Sequence, residues 1–366
     1  MKIPYINLVA QWENERAELL PIIDAALSTG QYVGGLEIER LEERVADLCG
    51  VRYCVALNSG TDALVCGLIA MGVRKGDEVI TPPNSFVAST AAIIHIGARP
   101  VFVDVLEDQN IDPDLVEAAI TSQTKAIMPV HLTGRIAQMD RLDAISKKHN
   151  IPIIEDAAQA IGSKYQGRPA GSWGKVGCFS THPLKNLNAC GDGGLLTTNE
   201  EGMAQSVRSM RNHGLVERNT VEKFGYVSRM DTLQAAILNH RLGKLKSVID
   251  KRRENADKYF QDLGSLPIQL PLEAKKEYNS YHTFVIQTEQ RDELKEYLND
   301  HAIETAIHYS IPIHLQPAAR FLGYKRGEFL MVESQANKIL TLPISQYLQQ
   351  SHQEKIIEKI HSFFRK

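Results

Sequence analysis

Lys185 lies in the run Phe179-Ser-Thr-His-Pro-Leu-Lys-Asn-Leu-Asn-Ala-Cys-Gly-Asp-Gly-Gly194, between two apolar stretches, 176–179 and 195–198, that read as short buried strands. A loop between such strands can aim an amine inward. Burial beside an apolar or cationic wall disfavours the ammonium form, which frees the amine to act as a nucleophile and then as a proton carrier. A second run, Ile151-Pro-Ile-Ile-Glu-Asp-Ala-Ala-Gln-Ala160, is an apolar strand that ends in carboxylates. At the carboxyl edge of a parallel sheet, where open α/β folds bind ligands, Asp156 would keep a pyridine nitrogen protonated, and Gln159 could reach a hydroxyl on the same ring. Taken alone, Asp156 reads equally well as the cap of a following helix.

A third run, Ala56-Leu-Asn-Ser-Gly-Thr-Asp-Ala-Leu64, is a polar turn opening an apolar helix that extends to about Val73. Free N–H groups and partial positive charge at a helix start make a seat for phosphate, with Gly60 and Thr61 as donors. Ordinary capping by Ser59 or Asn58 explains the same letters. Ser180 would add a second hydroxyl. In the run Thr81-Pro-Pro-Asn-Ser-Phe-Val-Ala-Ser-Thr90, Phe86 stands at another helix start and could lie against a planar ring, although a phenylalanine there is more often core. Amine, acid, phosphate seat and aromatic face together are what a lysine-bound pyridoxal 5'-phosphate requires. No one segment carries that reading, because most lysines are surface charges and most glycine clusters are turns.

The elements that must position these groups alternate along the chain. Apolar strand-like runs at 100–105, 126–131 and 152–155 are separated by helical windows at 113–120 and 139–149, the pattern of a mainly parallel sheet covered on both faces. A long helix is expected from Asp231 to about Leu263, leading out of the cofactor domain. Beyond residues 266–271 the rhythm changes to a strand at 283–287 and helices at 291–300 and 353–364, an α+β unit of about 100 residues. The expected division is a large α/β domain over 1–250 and a smaller α+β domain over 251–366.

With 366 residues, 43% hydrophobic content and a formal charge of −3, the chain can bury a large core, and its near neutrality argues against nucleic-acid binding. The five cysteines are odd in number and lack metal-ligand spacing, as expected of reduced cytosolic thiols. The histidines 131, 182, 213, 282, 308 and 314 form no close helical pair, so no metal site is expected. The N-terminus has no charged leader followed by an apolar run, and no stretch approaches about 18 uninterrupted apolar residues. A cytoplasmic protein without membrane contact is the expectation.

Taken in order, Tyr32-Val-Gly-Gly35, Ser59-Gly-Thr-Asp62, Pro129-Val-His-Leu132, Glu155-Asp156, Ser180 to Lys185, Arg211-Asn-His-Gly214, His308-Tyr309 and Leu340-Thr-Leu-Pro343 resemble the DegT-type family of sugar aminotransferases. The resemblance implies the aspartate aminotransferase (type I) fold: a mainly parallel α/β sheet with a smaller α+β C-terminal domain. It implies Lys185 as the lysine that holds the cofactor, Asp156 at the pyridine nitrogen and Gln159 at the ring oxygen. It places Gly60, Thr61 and Ser180 at the phosphate, Phe86 on the ring, and His308 and Tyr309 near the substrate sugar. It further implies a homodimer, an amino-acid donor such as glutamate, and a ketosugar acceptor on a nucleotide carrier. Lys185-Asn-Leu-Asn-Ala-Cys-Gly-Asp192 is closer to the Lys-Asn-Leu-Gly-Ala-x-Gly-Asp form of 3-ketosugar enzymes than to the Thr-Thr-Gly-Glu form of 4-ketosugar enzymes.

One departure stands out. Relatives read Gly-x-Asn-x-Arg where this chain has Gly225-Tyr-Val-Ser-Arg229, and the asparagine that reaches the partner subunit's phosphate is Val227 here. Ser228 is the first candidate to replace it; the alternatives are Arg229 or a phosphate held by one subunit alone. Two other functions stay open on this fold: a sugar dehydratase, although those relatives carry histidine in place of the lysine, and a non-catalytic regulator.

Overall fold

In the computed structural model, which describes residues 2–365, the central strands are β1 (Tyr53–Leu57), β2 (Glu78–Thr81), β3 (Arg99–Phe102), β4 (Thr124–Ile127), β5 (Ile154–Asp156), β6 (Val176–Ser180) and β7 (Gly194–Thr198). A four-stranded sheet in the order β1-β7-β6-β5 meets a three-stranded sheet in the order β3-β2-β4. Parallel bridges Ile127–Ile153 and Val130–Asp156 join the two. Only β7 runs against the others, pairing antiparallel with both β1 and β6. The mainly parallel α/β sheet expected from the alternation is therefore present.

The alternation of apolar residues explains why both faces are covered. On β1, Cys54 and Ala56 enter one core, while Val55 and Leu57 enter another on the opposite face. Burying a side chain such as Leu57 completely contributes roughly 1.5–3 kcal/mol, so the two cores together commit the sheet to its sandwich of helices. Helix Gly60–Ala70 lies so close to the sheet that a Cβ on Gly67 would stand 2.9 Å from the Ile154 Cδ1.

A third core belongs to the C-terminal part. The far end of helix Thr232–Leu263 contributes Ala256, Tyr259 and Leu263, which pack with Phe284 and Leu340 and with Ile356 of the last helix. The antiparallel pair Phe284–Gln287 and Ile339–Leu342 forms its sheet. Ile3 joins this core too, through a parallel bridge to Ile303. Among the described residues no helix is long and apolar enough to cross a membrane.

Because β1, β2, β5 and β6 run in one direction, the segments after them emerge at one edge. Ser59 follows β1, Phe86 follows β2, Asp156 ends β5 and Ser180 ends β6. Gly194 begins β7 at this edge, in register with Leu57 on one side and Ser180 on the other. A Cβ on Gly194 would overlap the Ser59 carbonyl oxygen and lie 2.7 Å from the Gly60 nitrogen. Both obstacles are backbone, so Gly194→Ala is expected to displace the helix start and cost about 1–3 kcal/mol. Thermal unfolding checks this: the melting temperature should fall by several degrees, and an unchanged midpoint would mean the helix start yields freely.

Candidate active site

The edge opens into a cavity of about 320 Å³, within the usual range for small-molecule sites. Lys185, Asp156, Gly60, Thr61, Ser180, Phe86, Gln159, His308 and Tyr309 all line it. A larger cleft, about 530 Å³, lies beyond Thr133 and Tyr281 and is bordered by Asp108 and Arg135. It has no lysine, so the nucleophile, the acid and the phosphate-type groups converge on the smaller cavity.

Lys185 sits on a loop tied down at several points. Its N–H donates to the His182 carbonyl at 2.8 Å, the Ala189 N–H donates to Thr181 at 2.7 Å, and the Asn186 amide donates to the Ser280 carbonyl at 3.0 Å. The ε-amine has no hydrogen bond or ion pair among the described residues. Although the side chain is only half-buried by accessible surface, the enclosing protein strips water from the amine and lowers its pKa from 10.5 to about 8, with the Asp156 charge pulling the other way. An amine in that range is available as a free base near neutral pH.

The shift has a consequence for the cofactor-free protein. Folded Lys185 releases its proton near pH 8, whereas the unfolded chain holds it to about 10.5. Between those values the unfolded state binds more protons, so stability rises with pH; below about 8 both states are protonated and the burial cost is felt in full. Measured against Lys185→Met in chemical denaturation, the wild type is expected to gain stability from pH 8 upward. Parallel profiles would show that the amine is not desolvated.

Asp156 is buried, and no helix follows it, so capping does not explain its presence. Its Oδ1 accepts from the Ala158 N–H at 3.2 Å and its Oδ2 from the Ser89 hydroxyl at 2.5 Å. Neighbouring Glu155 faces elsewhere and is fully used. It accepts from the N–H groups of Gly171 at 2.8 Å and Gly174 at 2.7 Å and contacts His131 Nε2 at 2.9 Å.

Ser59 caps helix Gly60–Ala70 by accepting from the Asp62 N–H at 3.1 Å. The N–H groups of Gly60 and Thr61 are left without partners among the described residues, as the first turn of a helix requires. A Cβ on Gly60 would stand 2.7 Å from the Ser180 Cβ, so only glycine lets the helix start and the Ser180 hydroxyl share one small cradle. Phe86 stands at the start of helix Val87–His95 with its ring 57% exposed, turned to the cavity and 5.9 Å from the Tyr309 ring. Gln159 Oε1 accepts from the Thr133 N–H at 2.8 Å, and Gln159 lines the cavity with Tyr309.

His308 Nδ1 contacts Thr341 Oγ1 at 2.9 Å, and burial, aided by the Lys185 charge, pushes its pKa down to about 4. Burial pushes the Tyr309 phenol up to about 12; Asp156 adds to that shift and Gln159 opposes it. Both residues are therefore neutral at physiological pH.

Ser228 is not in the cavity. It is completely buried in its own chain, with its hydroxyl donating to Asn58 Oδ1 at 3.1 Å and its N–H donating to the Arg211 carbonyl at 2.9 Å. The residue expected to stand in for the missing asparagine thus has its hydroxyl bonded within its own chain. Sequence reasoning also passed over Tyr5, His182, Asp192 and His282, which line the cavity, and Ser89, which fixes Asp156.

The mainly parallel α/β sheet with a smaller C-terminal part is the type I transferase fold, which the solved neighbours of this chain share. The model of the DegT/DnrJ/EryC1/StrS aminotransferase family matches residues 13–361, and the chain belongs to that family. It is 38% identical to a pleiotropic regulatory protein of Geobacillus stearothermophilus, over 100% of this chain and 99% of the relative. It is 39% identical to the dTDP-3-amino-3,4,6-trideoxy-alpha-D-glucose transaminase of Streptomyces venezuelae, over 99% of this chain and 96% of the relative. The crystal structure of S. venezuelae DesV in complex with ketimine intermediate superposes with a TM-score of 0.98 at 39% identity, covering 100% of this chain and 99% of that one. The resemblance and the fold expected from the sequence are borne out.

Proposed function

We propose that the protein is a pyridoxal 5'-phosphate-dependent aminotransferase that moves an amino group from an amino acid, glutamate, to a 3-keto sugar on a nucleotide carrier, in the cytoplasmic synthesis of amino sugars for polysaccharides. The observation that carries this reading is the Lys185 amine, without a partner among the described residues and with its pKa lowered to about 8, in one cavity with Asp156 and the Gly60–Ser180 cradle. The cradle fits the cofactor's phosphate, because it offers two spare N–H groups and a hydroxyl where a side chain at position 60 would block entry. The bound cofactor supplies an aldehyde that carries the amino group and a protonated ring that withdraws electrons from the substrate carbon.

The chain's own residues do the rest. Lys185 Nζ, in its free-base form, would hold the cofactor through its aldehyde and, once freed, would carry the proton from the donor carbon to that aldehyde carbon. Asp156, anchored by Ser89, keeps a proton on the pyridine nitrogen. Gln159 and Tyr309 would hold the ring oxygen and Phe86 a ring face, and His308 and Tyr309 would present neutral hydrogen-bonding groups to the sugar. In the second half of the reaction Lys185 Nζ would carry a proton from that cofactor carbon to the acceptor carbon.

Residues 1–250 act as the cofactor-binding unit and 251–366 as the smaller unit, except that the Ile3 segment packs with the latter. The working form is a homodimer. Support comes from the segment that follows hairpin strands Leu215–Glu217 and Thr220–Val221, where Phe224 is 101% exposed and Tyr226 and Val227 are also exposed. Retention of Lys185 speaks against a dehydratase, and the complete constellation speaks against a purely regulatory role despite the regulatory name of one relative. The test is to load the enzyme with an amino group and offer a panel of 3-keto and 4-keto nucleotide sugars. Amination of 3-keto members supports the reading; amination of 4-keto members alone would overturn its regiochemistry.

A further inference from the structure

Helix Thr232–Leu263 carries three buried or half-buried arginines, and two of them have acids. Arg241 pairs with Glu15 at 2.8 Å and Arg253 with Glu273 at 2.9 Å. Arg252 is 4% exposed and has no carboxylate within ion-pair distance among the described residues. Its donors go to neutral oxygens: the carbonyls of Tyr281 and His282, each at 3.1 Å, and Gln346 Oε1 at 3.1 Å. Burial pulls its pKa down to about 10, with Tyr5 opposing, so it remains a cation at neutral pH. An unbalanced buried cation is costly, and removing water makes its field reach further.

The backbone that Arg252 holds borders the cavity. Arg252 holds the backbone of His282 and lies beside Tyr5, and both of these line the cavity. Burial raises the Tyr5 phenol and lowers His282 well below 6.5, so neither supplies a compensating charge. The His282 Nδ1 is buried and has no partner. His308 and His182 also line the cavity, as does Lys185, and of the two acids in the lining, Asp156 and Asp192, Asp156 is occupied with Ser89 and Ala158.

We propose that Arg252 is a positioning residue that makes the Tyr5–His282 wall selective for an anionic group of the substrates, either a carboxylate of the amino donor or the diphosphate of the nucleotide. The ligand classes rest on the aminotransferase reading, but the test reads binding and not turnover, so the two can fail separately. Holoenzyme is titrated with glutarate, with its uncharged analogue glutaramide, and with UDP and dTDP, following the cofactor's absorbance and a thermal shift. In the unaltered protein an anion should bind about tenfold or more tightly than its uncharged counterpart. Arg252→Gln should lose that preference and Arg252→Lys should keep it, which separates charge from packing. Weakened glutarate assigns the anion to the donor, and weakened UDP or dTDP assigns it to the carrier; either supports the proposal. Equal binding of glutarate and glutaramide by the unaltered protein, together with unchanged nucleotide binding in Arg252→Gln, would overturn it, and the first of these comparisons stands even where the variants do not fold.

Discussion

Lys185→Ala, purified with added pyridoxal 5'-phosphate, is expected to lack the absorbance band of lysine-bound cofactor and to lose about 10⁴-fold or more of its turnover. The fold should survive, because the Lys185 amine makes no hydrogen bond that the change would break, and replacing a desolvated amine with a methyl group removes a cost. Among the described residues no other lysine lines the cavity to take over both attack and proton transfer. Lys185→Arg should fail in the same way, since a guanidinium stays protonated and cannot condense with an aldehyde. Retention of the band and of activity in Lys185→Ala, without added amine, would remove this residue from the chemistry.

Asp156→Asn should separate binding from rate. The amide is nearly isosteric, and its oxygen can still accept from Ser89, so cofactor affinity and melting temperature should change little. What is lost is the charge that keeps the pyridine nitrogen protonated, and the half-reaction with the amino donor should slow by about 10²–10⁴-fold in stopped-flow measurements. Near-normal rates would mean that another acid serves the ring. Glu155 could not be that acid, because its oxygens are taken by Gly171, Gly174 and His131 on another side of the strand.

The parts of the site that were legible in the sequence are those attached to strand ends. Lys185, Asp156, Ser180 and the Ser59–Thr61 turn each follow an apolar run whose period marks a buried strand, and parallel strands deliver their ends to one edge. The long helix was legible for a similar reason, with its start at Thr232 and its end at Leu263. Residues brought in by tertiary packing gave no such signal. Tyr5 reaches the cavity only because Ile3 bridges to Ile303 some distance along the chain, and His282 does so in a segment whose local pattern marks only a strand beginning.

Ser228 shows a different limit. Val227 bridges Asn212, and in extended backbone successive side chains face opposite ways. Val227 is 56% exposed and Ser228 is fully buried, an orientation that depends on this pairing and cannot be read from the loop's composition. Residues 304–307 make only a single bridge, Ala306 to Thr341, because the chain turns away directly to place His308 and Tyr309 in the cavity.

The most direct measurement is a single turnover of holoenzyme with glutamate and no acceptor, following the cofactor's absorbance while 2-oxoglutarate is assayed. Amino transfer through Lys185 predicts that the lysine-bound band is replaced by that of the aminated cofactor, with one 2-oxoglutarate released per active site. An unchanged spectrum with glutamate and with every other amino acid offered, and no oxo acid released, would contradict it and leave a protein that keeps the fold without the reaction.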